Sequence, residues 1–205
     1  MAAKRKILEI GHGGTPLGMD FRKFVEVVPS HIEYHGIDSC FITPRAAIEP
    51  FRMPTALEER IFEAEKFHYE LKPDNVELYR MDGKRIMFPS STFDEIHMHY
   101  LLSDPILRHA NGDSIPQILR ETKRVLKDDG VLIVSDLRLP YLFDEEPQET
   151  FIPRMLEAAG FSVTYDEGEL KKATAFYGFI EGNTKVIALL QGDINDRLML
   201  LARKE

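Results

Sequence analysis

One cysteine, Cys40, is all that this chain has, so an intramolecular disulfide is excluded. No apolar run approaches the roughly 18 residues that a membrane span requires, and the N-terminus carries no signal-peptide pattern. A soluble, cytoplasmic protein with no membrane partner is the expectation. Positive charge is scarce as well: the formal net charge is -8, and the only basic run is Lys4-Arg5-Lys6. Nucleic acid and anionic membrane would both be repelled, so neither is expected as a partner. Internal repeats and low-complexity tracts are missing too. What is there, 205 residues of which 43% are hydrophobic and 29% charged, suits one globular domain over residues 1–205.

The rest of the chain is organised around Ile7-Leu-Glu-Ile-Gly-His-Gly-Gly-Thr-Pro-Leu-Gly18. Ile7, Leu8 and Ile10 read as a short buried strand, and Gly11, Gly13 and Gly14 allow a sharp turn that comes close to a ligand. After them Phe21, Phe24, Val25 and Val28 fall at i, i+3, i+4 and i+7, one apolar face of a helix. A dinucleotide fingerprint, G-x-G-x-x-G, would need a glycine where this chain has Pro16. Many strand-to-helix turns in α/β proteins carry glycines for geometry only, so the turn alone does not decide for a cofactor.

Ile32 to Asp38 reads as a second strand with Asp38 at its carboxyl edge, where an acid can accept both hydroxyls of a ribose. That favours an adenosine ligand without separating a methyl donor from a nicotinamide. Residues 40–54, with Pro44, Pro50 and Pro54 among Phe41, Phe51 and Met53, form an irregular, lid-like connection. A helix is expected from Thr55 to Leu71. Val76 to Met81 alternates as a third strand and runs into Asp82-Gly83, an ordinary turn pair unless its neighbours say otherwise.

Phe93 to Tyr100 is the fourth strand, in which His97 and His99 point to the same face. His99, nearer the carboxyl end, is the candidate general base; the plain alternative is a hydrogen-bonded histidine under a helix. His12 lies inside the glycine loop. Three histidines there admit a metal site, but H-x-H without an acid triad does not make one, and no metal is expected. A helix starting at Asn111-Gly-Asp-Ser-Ile-Pro116 is expected to run to Asp128-Asp129-Gly130, followed by the buried strand Val131 to Asp136. A last helix spans Gln148 to Ala159 and stops at Gly160. Strands at Phe161 to Tyr165 and Lys185 to Leu190 finish the sheet, while the final DRLMLLARKE reads as an amphipathic tail. Residues 137–147 and 170–182 are two further lid-like segments.

Taken together these motifs resemble the class I S-adenosylmethionine-dependent methyltransferases. Glu9, Gly11 and Gly13 match the acid and first two glycines of the family's first motif, with Thr15 in place of the third. The Pro-containing link into Phe93-Asp94 and the text LRETKRVLKDDGVLIVSDL match its fourth strand and its helix, turn and fifth strand. The resemblance implies a doubly wound α/β fold: a mostly parallel seven-stranded sheet, helices on both faces and a C-terminal antiparallel hairpin. It also implies S-adenosylmethionine held by Glu9, Gly11, His12, Gly13, Asp38, Asp82 and Gly83. Asp38 would take the ribose, Asp82 the adenine amino group, and His99 would face a small-molecule acceptor. Because the first strand begins near the N-terminus, a roof over the acceptor is expected from the three lid-like segments, a homodimer or a partner subunit. Two other readings remain: a non-catalytic interaction subunit or cofactor-binding module of the same fold, and a nucleotide-dependent oxidoreductase.

Overall fold

The computed structural model describes residues 4–14, 16–19, 21–39, 56–71, 73–99, 101–102, 114–137, 148–164, 166–174 and 197–204. They form β1 (Arg5–Ile10), α1 (Phe21–Val27), β2 (Ile32–Asp38), α2 (Ala56–Leu71), β3 (Val76–Arg80) and β4 (Phe93–His99). There follow α3 (Ser114–Val125), β5 (Leu126–Leu137), α4 (Gln148–Ala158), β6 (Phe161–Thr164), α5 (Glu167–Ala173) and β7 (Arg197–Lys204). A short helical turn, Pro16–Gly18, sits between β1 and α1. The seven strands make one sheet in the order β3-β2-β1-β4-β5-β7-β6. The first five strands are mutually parallel; β7 runs antiparallel to both β5 and β6. This is the expected sheet, including its antiparallel C-terminal pair.

The strand interiors are apolar on both faces because helices cover both, as in parallel sheets generally. Ile7 joins Phe21 and Phe24 of α1, Tyr34, Ala64 of α2 and Leu170 of α5 in one cluster. Leu8 and Ile10, their side chains on the other face, join Ile96, Met98, Ile115, Ile118 and Leu119 of α3 and Ile152 and Leu156 of α4 in the second. Phe21, Phe24 and Val28 are buried as their spacing requires. Among the described residues no helix is long and apolar enough to cross a membrane.

Three boundaries differ from expectation. The seventh strand is Arg197–Lys204, the stretch that reads as a tail; Lys185 to Leu190 lies outside the described residues. The tail assignment fails because Leu200 and Ala202 pack into one cluster and Leu201 into the other, so the run is apolar for an interior strand and not for a helix face. β5 already begins at Leu126, and the Asp-Gly pair falls within it, opposite a register shift between Phe93 and Glu95. Residues 170–173 belong to α5, with Leu170 buried, rather than to an insertion. Residues 175–182, the segment 40–54, the segment 138–147 and the start of the Asn111 motif lie outside the described residues. α4 ends as expected, with Gly160 at φ 79 and its N–H donating to the Glu157 carbonyl.

Candidate functional site

Strand order reverses between β1 and β4, and in open α/β sheets the crevice at that point, outside the carboxyl ends of the strands, is where ligands bind. The glycine loop leaves β1 there. Gly11, Gly13 and Gly14 all have positive φ, 78°, 56° and 78°, which a side chain would strain. A Cβ on Gly11 would also lie 2.8 Å from Leu101 Cδ1, so the segment after β4 closes directly onto the loop. The Gly11 N–H donates to the Ile37 carbonyl at 2.8 Å and carries the β1–β2 alignment one residue further.

Three side chains hold the loop. Glu9, 1% exposed, accepts from the Leu17 N–H at 2.8 Å and from the Tyr34 hydroxyl. Leu17 is itself left-handed, at φ 49, a conformation costing a non-glycine residue about 1–3 kcal/mol unless its surroundings hold it. Burial pushes the Glu9 carboxyl up to about 7, while the Tyr34 and Leu17 hydrogen bonds pull the other way. Asp38, buried at the end of β2, accepts from the Gly13 N–H at 2.9 Å. His12 accepts from the Gly14 N–H through Nδ1 at 3.0 Å. Burial drives its pKa down to about 4 against the pull of Asp38, so the ring is neutral at pH 7. It lies over Gly36, where an added Cβ would come within 3.0 Å of His12 Cδ2.

Asp82 and Gly83 stand at the edge of the same crevice. Asp82 Oδ1 accepts from the Lys84 N–H at 2.9 Å, Lys84 Nζ lies 3.5 Å from Oδ2, and the side chain is 40% exposed. Gly83 presses its backbone against the end of β1; a Cβ there would be 3.1 Å from Ile10 Cγ2. The turn is thus an ordinary Asx turn by its hydrogen bonds, packed against the strand that feeds the glycine loop.

β4 supplies the third side. His99 is its last residue and pairs in register with Ser135 of β5, while His97 pairs with Glu9 of β1. His97 Nδ1 lies 3.2 Å from His99 Nε2, and His97 Nε2 lies 2.5 Å from Glu95 Oε1. Glu95 and His97 are fully buried. Glu95 also binds Arg5, at 2.7 Å, and the Thr174 hydroxyl. Burial by itself would raise the Glu95 carboxyl, but His97, Thr174 and Arg5 outweigh it and hold it below the usual carboxylate range. Among the described residues no group of three or more His, Cys, Asp or Glu is placed to hold a metal ion.

The sequence reading did not single out Tyr34, Arg5, Glu95 or Thr174. A signal existed for one of them. In Glu95-Ile-His-Met-His99 polar residues occupy every second position, and the alternation that puts both histidines on one face extends back to the glutamate.

No protein-family model matches the sequence, and no curated protein matches it. Solved structures do. The chain is similar to a SAM-dependent methyltransferase from Aquifex aeolicus, with 22% identity, a TM-score of 0.51, and 80% of this chain and 76% of that one covered. It is similar to the putative methyltransferase of Haloferax volcanii solved in complex with the Trm112 methyltransferase activator: 13% identity, TM-score 0.56, 100% and 83% covered. It is also similar to the cyclase SpnF: 16% identity, TM-score 0.54, 100% and 76% covered. The fold is that of the class I S-adenosylmethionine-dependent methyltransferases.

Proposed function

We propose that this chain binds S-adenosylmethionine at the carboxyl ends of β1 and β2 and transfers its methyl group to a small-molecule acceptor. The observation that carries this reading is where the loop's N–H donors go. A pyrophosphate on a glycine loop is held by such donors. Here Gly13, Gly14 and Leu17 give theirs to Asp38, His12 and Glu9, so these three N–H groups are already engaged within the chain. Donors engaged in this way are a poor cradle for a pyrophosphate, which favours an adenosine joined to a sulfonium cation over the oxidoreductase reading.

The residues present fit such a group. A carboxylate offers about four lone-pair sites, so Asp38 can hold the Gly13 N–H and still accept from ribose hydroxyls. Asp82, at the same edge and partly exposed, is the acceptor for the adenine amino group, while Gly11 and Gly83 let the loop and the turn lie close to Leu101 and Ile10. Glu9 and His12 act through the loop: both are buried and each bonds a loop N–H, so they set its shape. When bound, the cofactor supplies a methyl group already activated by its positive sulfur. The chain's own contribution is to align the acceptor beside His99 and let that histidine take the acceptor's proton.

Calorimetric titration with S-adenosylmethionine, S-adenosylhomocysteine and NAD tests the reading. Micromolar binding of the first two and none of NAD is expected. Failure of the isolated chain to bind either would overturn it in favour of a non-catalytic subunit, or of a site completed by a second protein. The Haloferax methyltransferase, solved with its activator, motivates that second arm.

A further inference from the structure

The connection between β3 and β4, residues 81–92, belongs to no strand, and α3 holds it in place. Ile118 of α3 packs on Gly83, where a Cβ would lie 3.4 Å from Ile118 Cγ1. One turn on, Glu121 Oε2 accepts from the Ile86 N–H at 2.9 Å. Arg124 then donates from Nη2 to the Ile86 carbonyl at 2.5 Å and from Nη1 to the Phe88 carbonyl at 2.8 Å. It keeps Nε and Nη2 on the two Glu121 oxygens, at 3.0 and 2.8 Å. The carbonyls of Arg124 and Val125, which end the helix, accept from the Ser91 and Thr92 N–H groups. We infer that Glu121 and Arg124 are positioning residues for the adenine site: by fixing the backbone at Ile86 and Phe88 they hold Asp82 and Gly83 at the carboxyl end of β1. The inference rests on the reading above, in which Asp82 accepts from the adenine amino group.

Asp82 does not set its own place. Its polar contacts, with the Lys84 N–H and Nζ, stay within the turn, and so does the Arg85 N–H, which donates to the Asp82 carbonyl at 2.9 Å. They shape the turn without tying it to the sheet. The tie comes at the next residue, Ile86, which is 3% exposed and lies in the core cluster under α3. Phe88 stands edge-on to His35, Tyr79 and Phe93, with ring centroids 5.4, 5.3 and 5.0 Å apart. Those apolar contacts already cover the sheet here. What the ion pair adds is direction: a guanidinium held on both oxygens of a carboxylate is a rigid planar fork, so its other N–H groups aim at set points. Arg124 aims them at two carbonyls of one connection. Its hydrogen bonds in turn hold the Glu121 carboxyl below the usual carboxylate range, so the acceptor for the Ile86 N–H is ionised at neutral pH.

Calorimetry with two ligands tests this: S-adenosylhomocysteine, and its analogue with hydrogen in place of the adenine amino group. Wild type should favour the first by at least about tenfold, as a hydrogen bond to a charged group would give, and Asp82→Ala should abolish the preference. Arg124→Ala should cut it below about threefold while leaving the analogue's affinity within about twofold of wild type. A preference that survives in Arg124→Ala overturns the inference, because lost stability alone weakens both ligands alike; so does a wild type without preference. Should Arg124→Ala not fold, Arg124→Lys decides by the same ratio, since it keeps the charge and loses the fork. Binding of S-adenosylhomocysteine with an unchanged ratio in the variant sinks this inference alone. If the wild type does not bind S-adenosylhomocysteine at all, the methyl-transfer reading falls, and amide exchange of the unliganded protein decides the positioning. In Arg124→Lys the Lys84 and Arg85 N–H groups should exchange at least about tenfold faster, with those of β4 unchanged; equal rates overturn it.

Discussion

The two faces of β1 and β4 are built from alternate residues of the same short strands, yet they differ in kind. On the α3–α4 side stand Leu8, Ile10, Ile96 and Met98, all apolar and all within the core. On the α1–α2–α5 side Ile7 is followed by Glu9, and opposite them come Glu95, His97 and His99. One face stabilises by removing apolar area from water; the other spends stability on hydrogen-bonded charge. The comparison teaches that alternate residues of one strand can be buried in two ways: the apolar face needs only packing, while the polar face needs Arg5, His97 and Thr174 to satisfy Glu95.

Breaking the polar face at its centre should have the largest effect. Glu95→Ala leaves Arg5, His97 and Thr174 without their shared acceptor, and loss of one member of a buried pair costs about 3–5 kcal/mol; urea unfolding measures it. On the apolar face Ile96→Ala should cost about 2–5 kcal/mol through its cavity. Cofactor affinity should then stay unchanged in the folded fraction. If Ile96→Ala weakens cofactor binding as much as a loop variant does, the division of labour between the faces is wrong.

The pH dependence sharpens the contrast within the polar face. Glu9 is raised from 4.5 to about 7, so the folded state binds the extra proton and its contribution is lost as pH rises through that window. His12 is lowered from 6.5 to about 4, so the unfolded state binds the extra proton and stability is gained as pH rises from about 4 to 6.5. Each is worth about 3 kcal/mol at about 1.4 kcal/mol per pH unit, with opposite sign. The two should cancel through most of the shared range. Glu9→Gln should therefore grow steadily more stable from pH 4.5 to 6.5 relative to its own value at 4.5, measured by denaturant midpoints across buffers. A profile parallel to wild type would remove Glu9 from the account.

Smaller effects belong to the crevice. Asp38→Ala should weaken S-adenosylmethionine by about 1.5–3 kcal/mol, the worth of a hydrogen bond to a charged group, by calorimetry. If His99 serves the acceptor as proposed, His99→Ala should shift that affinity by less than about 0.5 kcal/mol.

Much of this arrangement was legible in the residues. The helix face of Phe21, Phe24 and Val28 and the strands of Ile7 to Ile10 and Phe93 to His99 follow from local spacing, and the glycines and Asp38 mark the crevice by strand position alone. What could not be read were partnerships set by register. Arg5 and Glu95 meet because β1 lies beside β4, Tyr34 reaches Glu9 across β1 and β2, and Thr174 arrives from behind α5. No local pattern announces these. The Arg197–Lys204 strand escaped for another reason: a continuous apolar run covered on both sides has neither the helical nor the alternating period.

That strand has a consequence in time. β7 follows β6 in the chain but lies between it and β5, so β6 has no place in the sheet until residues 197–204 are in hand. On a ribosome the five parallel strands can pair in the order they emerge, whereas β6 must wait for its only strand neighbour among the described residues. Closure of the sheet is therefore a late and non-local event, the slow kind of step. Premature termination before Arg197 would strand an exposed β5 edge, the sort of surface that chaperones meet first.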